Sequence, residues 1–202
     1  MFSENDEEIN ENGKGDAGDA VAAPSPEAET YLEAATAGDD ALVKVCGLGN
    51  MRLAMVLDDL CTLLSEKGSR QLALDLTDCS GMDSTFMGTL VSISANYAEL
   101  GGWMCLVNVS AANRNLLEML GVAKLVQTRE SFPIDPLKVA RLHLPPTDDA
   151  ARRLALIKKA HERLVAIDER NLEKFGAFLK MLGASLATGS NENNNQEEKH
   201  AE

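Results

Sequence analysis

Apolar and polar positions fall into short, regular blocks from Ala41 onward. Leu42-Val43-Lys44-Val45-Cys46 alternates loosely and predicts a strand, with Gly47, Gly49 and Asn50 supplying the turn after it. Met51, Leu53, Ala54, Leu57, Leu60, Cys61 and Leu64 then recur at helical spacing over Met51–Lys67, and Gly68 stops the helix. Leu72, Ala73, Leu74 and Leu76 make a run short enough for a buried strand over Gln71–Leu76. Thr77 to Gly81 reads as a polar, turn-forming crossing. A second helix follows from Ser84 to Leu100, with Met87, Leu90, Val91, Ser94 and Ala98 as its stripe. The small residues Gly88, Ser92 and Ala95 would let that helix lie close to the sheet or to a partner. Gly101-Gly102 ends it, Trp103–Val109 is a third strand, and Ser110 caps a helix containing Leu116, Leu117, Met119 and Leu120 that Gly121 closes. Val122–Val126 is a short strand or an apolar plug. Strands alternating with helices predict an α/β layer on a largely parallel sheet, with functional groups in loops at the strand carboxyl ends.

The flanks follow different rules. Residues 1–40 are rich in Glu, Asp, Asn, Gly and Ala, and offer too little apolar surface to offset the entropy of ordering. They predict a disordered acidic tail, in which Pro26–Ala37 could at most form a short helix. Pro133, Pro136, Pro145 and Pro146 make 131–147 an extended linker. Residues 148–186 regain helical spacing through Leu154, Ile157, His161, Leu164, Ile167, Leu172, Phe175, Leu179 and Leu182. Asp168–Asn171 interrupts that stripe and divides it into one or two helices, which fold back on the domain, pair with a second copy as a homo-oligomer, or pair with another protein. Residues 187–202, with their Asn run, predict a second disordered tail.

Charge sharpens this division. The total is −13, of which residues 1–40 contribute −11 and residues 185–202 contribute −3, leaving the body at +1. A near-neutral body lacks the clustered basic face of a nucleic-acid-binding domain. The first residues are acidic and no apolar run reaches the roughly 20 residues of a membrane helix, so the expectation is a cytoplasmic protein. Cys46, Cys61, Cys79 and Cys105 have no metal-type spacing. With His only at 143, 161 and 200, no nucleophile has a convincing base and no metal or cofactor site is expected. Asp75 and Asp78 lack the acidic partners that a phosphoryl-accepting aspartate would need.

The remaining chemistry is Asp83-Ser84-Thr85, directly before the second helix. A Ser or Thr there can accept from the first free backbone N–H groups, and the helix dipole favours negative charge, including a phosphate on the serine. The string Asp83-Ser84-Thr85-Phe86-Met87-Gly88 resembles the D-S-[ST]-G-[LIM]-G signature of STAS domains, the family of bacterial anti-sigma factor antagonists. Leu74-Asp75-Leu76-Thr77, the strand Gly101–Asn108 and the segment Asn115–Val122 resemble the family's motifs in the same order. The similarity covers roughly Ala41 to Thr128, within a domain at 41–130. Phe86 departs from the signature, standing where the family usually has Gly, and a ring there could reshape the contact surface.

The resemblance implies a mostly parallel or mixed sheet of four to five strands with helices packed on it, extended by the C-terminal helices. It implies a protein-binding switch rather than an enzyme. The unphosphorylated chain would bind an anti-sigma factor that is also a serine kinase of histidine-kinase-like ATPase fold, and a PP2C-type phosphatase would reset it. Ser84 would be the phosphorylation site, with Asp83 as its positioning or capping neighbour and Thr85 the second choice. Asp78, Asp83, Ser84, Thr85, Phe86 and Met87 would form the partner-binding surface, with Asp78 beside the phosphate. ATP and Mg²⁺ would belong to the kinase. The alternative is a STAS scaffold that is never phosphorylated, an accessory subunit of a stress-signalling assembly or a lipid-transport ABC system.

Overall fold

The computed structural model describes residues 29–132, 140–142 and 149–197, with side chains through residue 185. Strand β1 (Tyr31–Ala37) pairs antiparallel with β2 (Asp40–Gly49), from Tyr31 opposite Cys46 to Ala37 opposite Asp40. Gly38-Asp39 makes the two-residue turn, and Gly38 takes the positive φ of 60° that such a turn requires. The chain continues through α1 (Met51–Glu66), β3 (Gln71–Asp75), β4 (Cys79–Met82), α2 (Ser84–Glu99), β5 (Trp103–Val107) and α3 (Ala111–Met119). A 3₁₀ turn at Val122–Lys124, β6 (Gln127–Arg129), β7 (Ala140–Arg141), α4 (Ala150–Ile167) and α5 (Arg170–Glu197) complete it.

The sheet order is β6-β5-β3-β2-β1-β7. β2, β3, β5 and β6 run parallel, whereas β1 is antiparallel to β2 and to β7. β2 is long enough to serve two parallel partners besides β1: Asp40–Lys44 pairs with β3, and Gly47–Gly49 pairs with β4. The fold is therefore a mixed α/β layer with helices on the sheet and two further helices behind them. Val43, Val45, Leu72, Leu74, Met104 and Leu106 face the main core with α1 and α2. Their neighbours Leu42, Ala73, Cys105 and Val107 are buried on the opposite face, against Trp103 and Phe132. Burial on both faces explains why these strands read as unbroken apolar runs.

The predicted strand and helix positions between Ala41 and Leu120 hold to within a few residues, and three readings change. Tyr31–Ala37 lies inside the predicted disordered tail but is a strand. Its Glu and Ala content is overridden by seven registered pairs with β2, and Leu32 is buried. Cys79–Met82 is a strand rather than a turn, because the far half of β2 offers it an edge. The segment after Gly121 is a 3₁₀ turn followed by β6, and Val122 and Val126 plug the core.

Of the predicted linker, Ala140–Arg141 is a short strand on β1, and the four prolines lie outside the described residues. The predicted break at Asp168 is present between α4 and α5. α5 continues to Glu197, into the predicted disordered tail, since an established helix extends at little cost per residue. Residues 1–28 and 198–202 lie outside the described residues.

Candidate functional site

The site is built around the start of α2. Asp83 is the N-cap: its Oδ1 accepts from Phe86 N at 2.7 Å, and its Oδ2 accepts from Met51 N, the first residue of α1, at 2.8 Å. One carboxylate thus satisfies a free N–H at the beginning of two helices. Asn50 caps α1 as well, its Oδ1 accepting from Leu53 N at 3.1 Å. Because Asp83 holds the cap, Ser84 is the first residue within the helix, and its hydroxyl is released for other work.

That hydroxyl meets α4. Ser84 Oγ lies 2.9 Å from His161 Nε2, and His161 Nδ1 lies 2.8 Å from the carbonyl oxygen of Ile157. A carbonyl only accepts, so Nδ1 carries a proton. In the neutral ring Nε2 is then the acceptor, and Ser84 donates to it. His161 is buried, with its ring set edge-on to Phe175 and Phe178 of α5 at centroid distances of 4.8 and 5.0 Å. Ser84 is partly buried.

One turn further, α2 and α4 touch backbone to backbone. A Cβ on Gly88 would lie 2.3 Å from the carbonyl oxygen of Ala160. The helices diverge beyond this crossing. Val91, Ser94, Ala95, Ala98, Lys124, Leu125, Arg163, Ala166 and Ile167 line a groove of about 460 Å³ between them. The turn between α4 and α5 is tied to the end of α3. Asn171 Nδ2 donates to the carbonyl oxygens of Leu120 (3.0 Å) and Leu164 (2.8 Å), and Asp168 pairs with Lys124 at 3.5 Å. The Arg170 guanidinium, with help from the Arg170 backbone N–H, holds the Asp168 carboxyl well below the usual carboxylate range. Arg152 pairs with Asp59 and so joins α4 to α1.

The other expected site residues are dispersed. Thr85, Phe86 and Met87 are buried, so none presents a surface in this arrangement. Phe86 does not reshape a contact surface: its ring lies over Gly49 at the end of β2, where a Cβ would come within 2.9 Å of it. Asp78 stands at the opposite end of β4 from Asp83, roughly 15 Å away along an extended strand. It is exposed and pairs with Lys44 at 2.5 Å, a bond that raises the Lys44 pKa. Asp75 is buried and used structurally, its Oδ1 accepting from Thr77 N, Thr77 Oγ1 and Asn108 Nδ2. All four cysteines are buried. Among the described residues no cluster of His, Cys, Asp and Glu could hold a metal ion. No helix among them is long and apolar enough to cross a membrane.

Sequence reasoning missed His161 as the partner of Ser84. Its only local signal is a polar ring within an otherwise apolar helical stripe.

The STAS domain family model matches residues 23–133, more than half of the chain. The chain belongs to the STAS domain family. The match begins ahead of β1, so this STAS domain includes the hairpin that sequence reasoning left outside, and it ends before α4. Among solved structures, the chain resembles a candidate anti-sigma factor antagonist of Thermotoga maritima at 19% identity and a TM-score of 0.47, covering 50% of this chain and 87% of that one. It resembles the Bacillus anti-sigma factor antagonist SpoIIAA in its unphosphorylated form at 14% identity and a TM-score of 0.45, covering 51% and 90%. It also resembles the murine anion transporter Slc26a9 at 15% identity and a TM-score of 0.42, covering 52% of this chain and 21% of the transporter. No curated protein matches the chain.

Proposed function

We propose that this STAS domain is a cytoplasmic anti-sigma factor antagonist that acts by binding and is switched by phosphorylation of Ser84. The observation that carries this is the Ser84 hydroxyl, freed from capping by Asp83 and set in the positive first turn of α2. In the switch, a serine kinase of histidine-kinase-like ATPase fold binds the unphosphorylated form and is itself the anti-sigma factor. Phosphoryl transfer forms the Ser84 Oγ–P bond as the bond to ADP breaks, and the hydroxyl proton leaves to a base or to water. The product carries about −1.5 to −2 charge at that point. A partner face presenting acidic or apolar groups then meets repulsion and a desolvation cost, enough to abolish a micromolar contact. A PP2C-type phosphatase restores the hydroxyl by hydrolysis.

Incubation with such a kinase and ATP·Mg²⁺, read by intact mass, tests the proposal. One phosphate on the wild type and none on Ser84→Ala is the expected result. Phosphate on Thr85 alone, or none with an active kinase, removes Ser84 from its role.

A second reading is an unphosphorylated scaffold, a subunit of a stress-signalling assembly or a lipid-transport system. It is favoured by the hydrogen bond that already engages Ser84 with buried His161.

A further inference from the structure

The side of α2 that faces α4 is shaped to receive a helix, and the chain fills it with one of its own. Three features define that shape. Gly88 lets another helix come to backbone contact, as Ala160 does. The Ser84 hydroxyl supplies a hydrogen bond at the edge of the contact. The groove beyond the crossing, where α2 presents Val91, Ala95 and Ala98 and α4 presents Arg163, Ala166 and Ile167, leaves room for a further side chain between the helices. The α4–α5 hairpin meets this side from outside the segment matched by the STAS family, which ends at residue 133. Leu156 and Leu164 of α4 join the main core, and the rim of the hairpin is held by polar pairs: Arg152 to Asp59, Lys124 to Asp168, and Lys174 to the carbonyl oxygen of Met119. Such contacts exchange readily for water.

We infer that the α4–α5 hairpin is a displaceable cover: the α2 face takes a partner helix only in place of α4, and a phosphoryl group on Ser84 and a seated α4 exclude each other. The identity of that partner rests on the antagonist reading above; the cover itself does not.

The exclusion follows from the geometry at Ser84. Once esterified, Oγ has no hydrogen to donate, so the Nε2 acceptor of His161 loses its partner. Three anionic oxygens must also find room where His161, Phe175 and Phe178 close off one side. A dianion set beside buried His161, against the Phe175 and Phe178 edge of that site, is disfavoured unless it is paired. For the same reason a kinase reaches Ser84 only after α4 has moved away.

The test uses the full chain and no kinase. The four native thiols are buried and report on global unfolding. A Ser84→Cys variant adds one thiol at the site, and its maleimide labelling rate reads how often the cover lifts. Labelling at least tenfold slower than a free thiol is expected. Adding Ala160→Leu, which enlarges a buried side chain at the α2 crossing, should speed it at least tenfold while the native thiols stay protected. If Ala160→Leu unfolds the chain, His161→Ala removes the latch without adding volume and should speed labelling several-fold. Labelling of Ser84→Cys at the free-thiol rate overturns the cover, as does a rate unchanged by either substitution with native thiols protected.

A Ser84→Glu variant reads the exclusion. Amide exchange in α4 should rise at least tenfold with β3 and β5 unchanged, and unchanged exchange in α4 overturns it. Failure of Ser84 to accept phosphate would sink the antagonist reading and leave these measurements as they stand.

Discussion

The two sides of α2 are both buried, by opposite means. The side toward the sheet and α1 carries Phe86, Leu90, Ile93 and Tyr97, each at most 2% exposed. These side chains stabilise through area, since each removes a large apolar surface from water. The Tyr97 hydroxyl finds the carbonyl oxygen of Cys61 at 3.5 Å, and burial pushes its pKa up to about 12. The side toward α4 uses Ser84, Gly88 and Ser92, which contribute little area of their own. Close approach and one hydrogen bond to His161 act there beside the apolar burial of Leu156 and Leu164 of α4. The first interface is damaged chiefly by removing volume and the second by adding it. A fold can therefore keep one side of a helix permanent and the other exchangeable.

The largest effect is expected on the permanent side. Phe86→Ala should cost about 4 kcal/mol, and hydrogen exchange should show β3, β5 and α1 losing protection together. Equal loss confined to α4 would reverse the assignment of the two sides. Next comes Gly88→Leu, which drives a side chain into the Ala160 backbone and should cost about 3 kcal/mol. Here the loss should appear in α4 and α5 exchange well before the sheet responds. A global two-state loss in denaturant would instead join the hairpin to the core. Ser84→Ala should cost about 1 kcal/mol, because His161 Nε2 is left without its donor in a buried place.

The smallest effect is set by pH. The Asp168 carboxyl is lowered below its unfolded value by Arg170, so its contribution is complete above about pH 4 and is lost as pH falls toward the folded value. Asp168→Asn should flatten the acid limb of the unfolding curve, and an unchanged limb would place the acid sensitivity elsewhere.

How much of this was legible depends on how local each signal is. The helix start at Asp83-Ser84-Thr85 was legible because capping involves residues three apart. The strands at 71–75 and 103–107 were legible because burial on both faces leaves an apolar run. β1 hid behind helix-favouring Glu33, Ala34 and Ala35. The Gly38-Asp39 pair was the signal available for its hairpin, and only the neighbouring β2 makes it a strand. The bond from Ser84 to His161 spans 77 positions and crosses two packed helices. No periodicity encodes such a pairing. Phe86 was misjudged for a related reason, since only the seat above Gly49 decides that its ring turns inward.

The double cap at Asp83 also restricts what evolution can write at that position. An asparagine has nearly the same outline, yet its amide offers one acceptor oxygen and a nitrogen that would confront a second N–H donor. Either α1 or α2 would begin with an orphaned amide. The position therefore discriminates between near-isosteres by counting lone pairs rather than by measuring size, and it keeps the two helix origins in step.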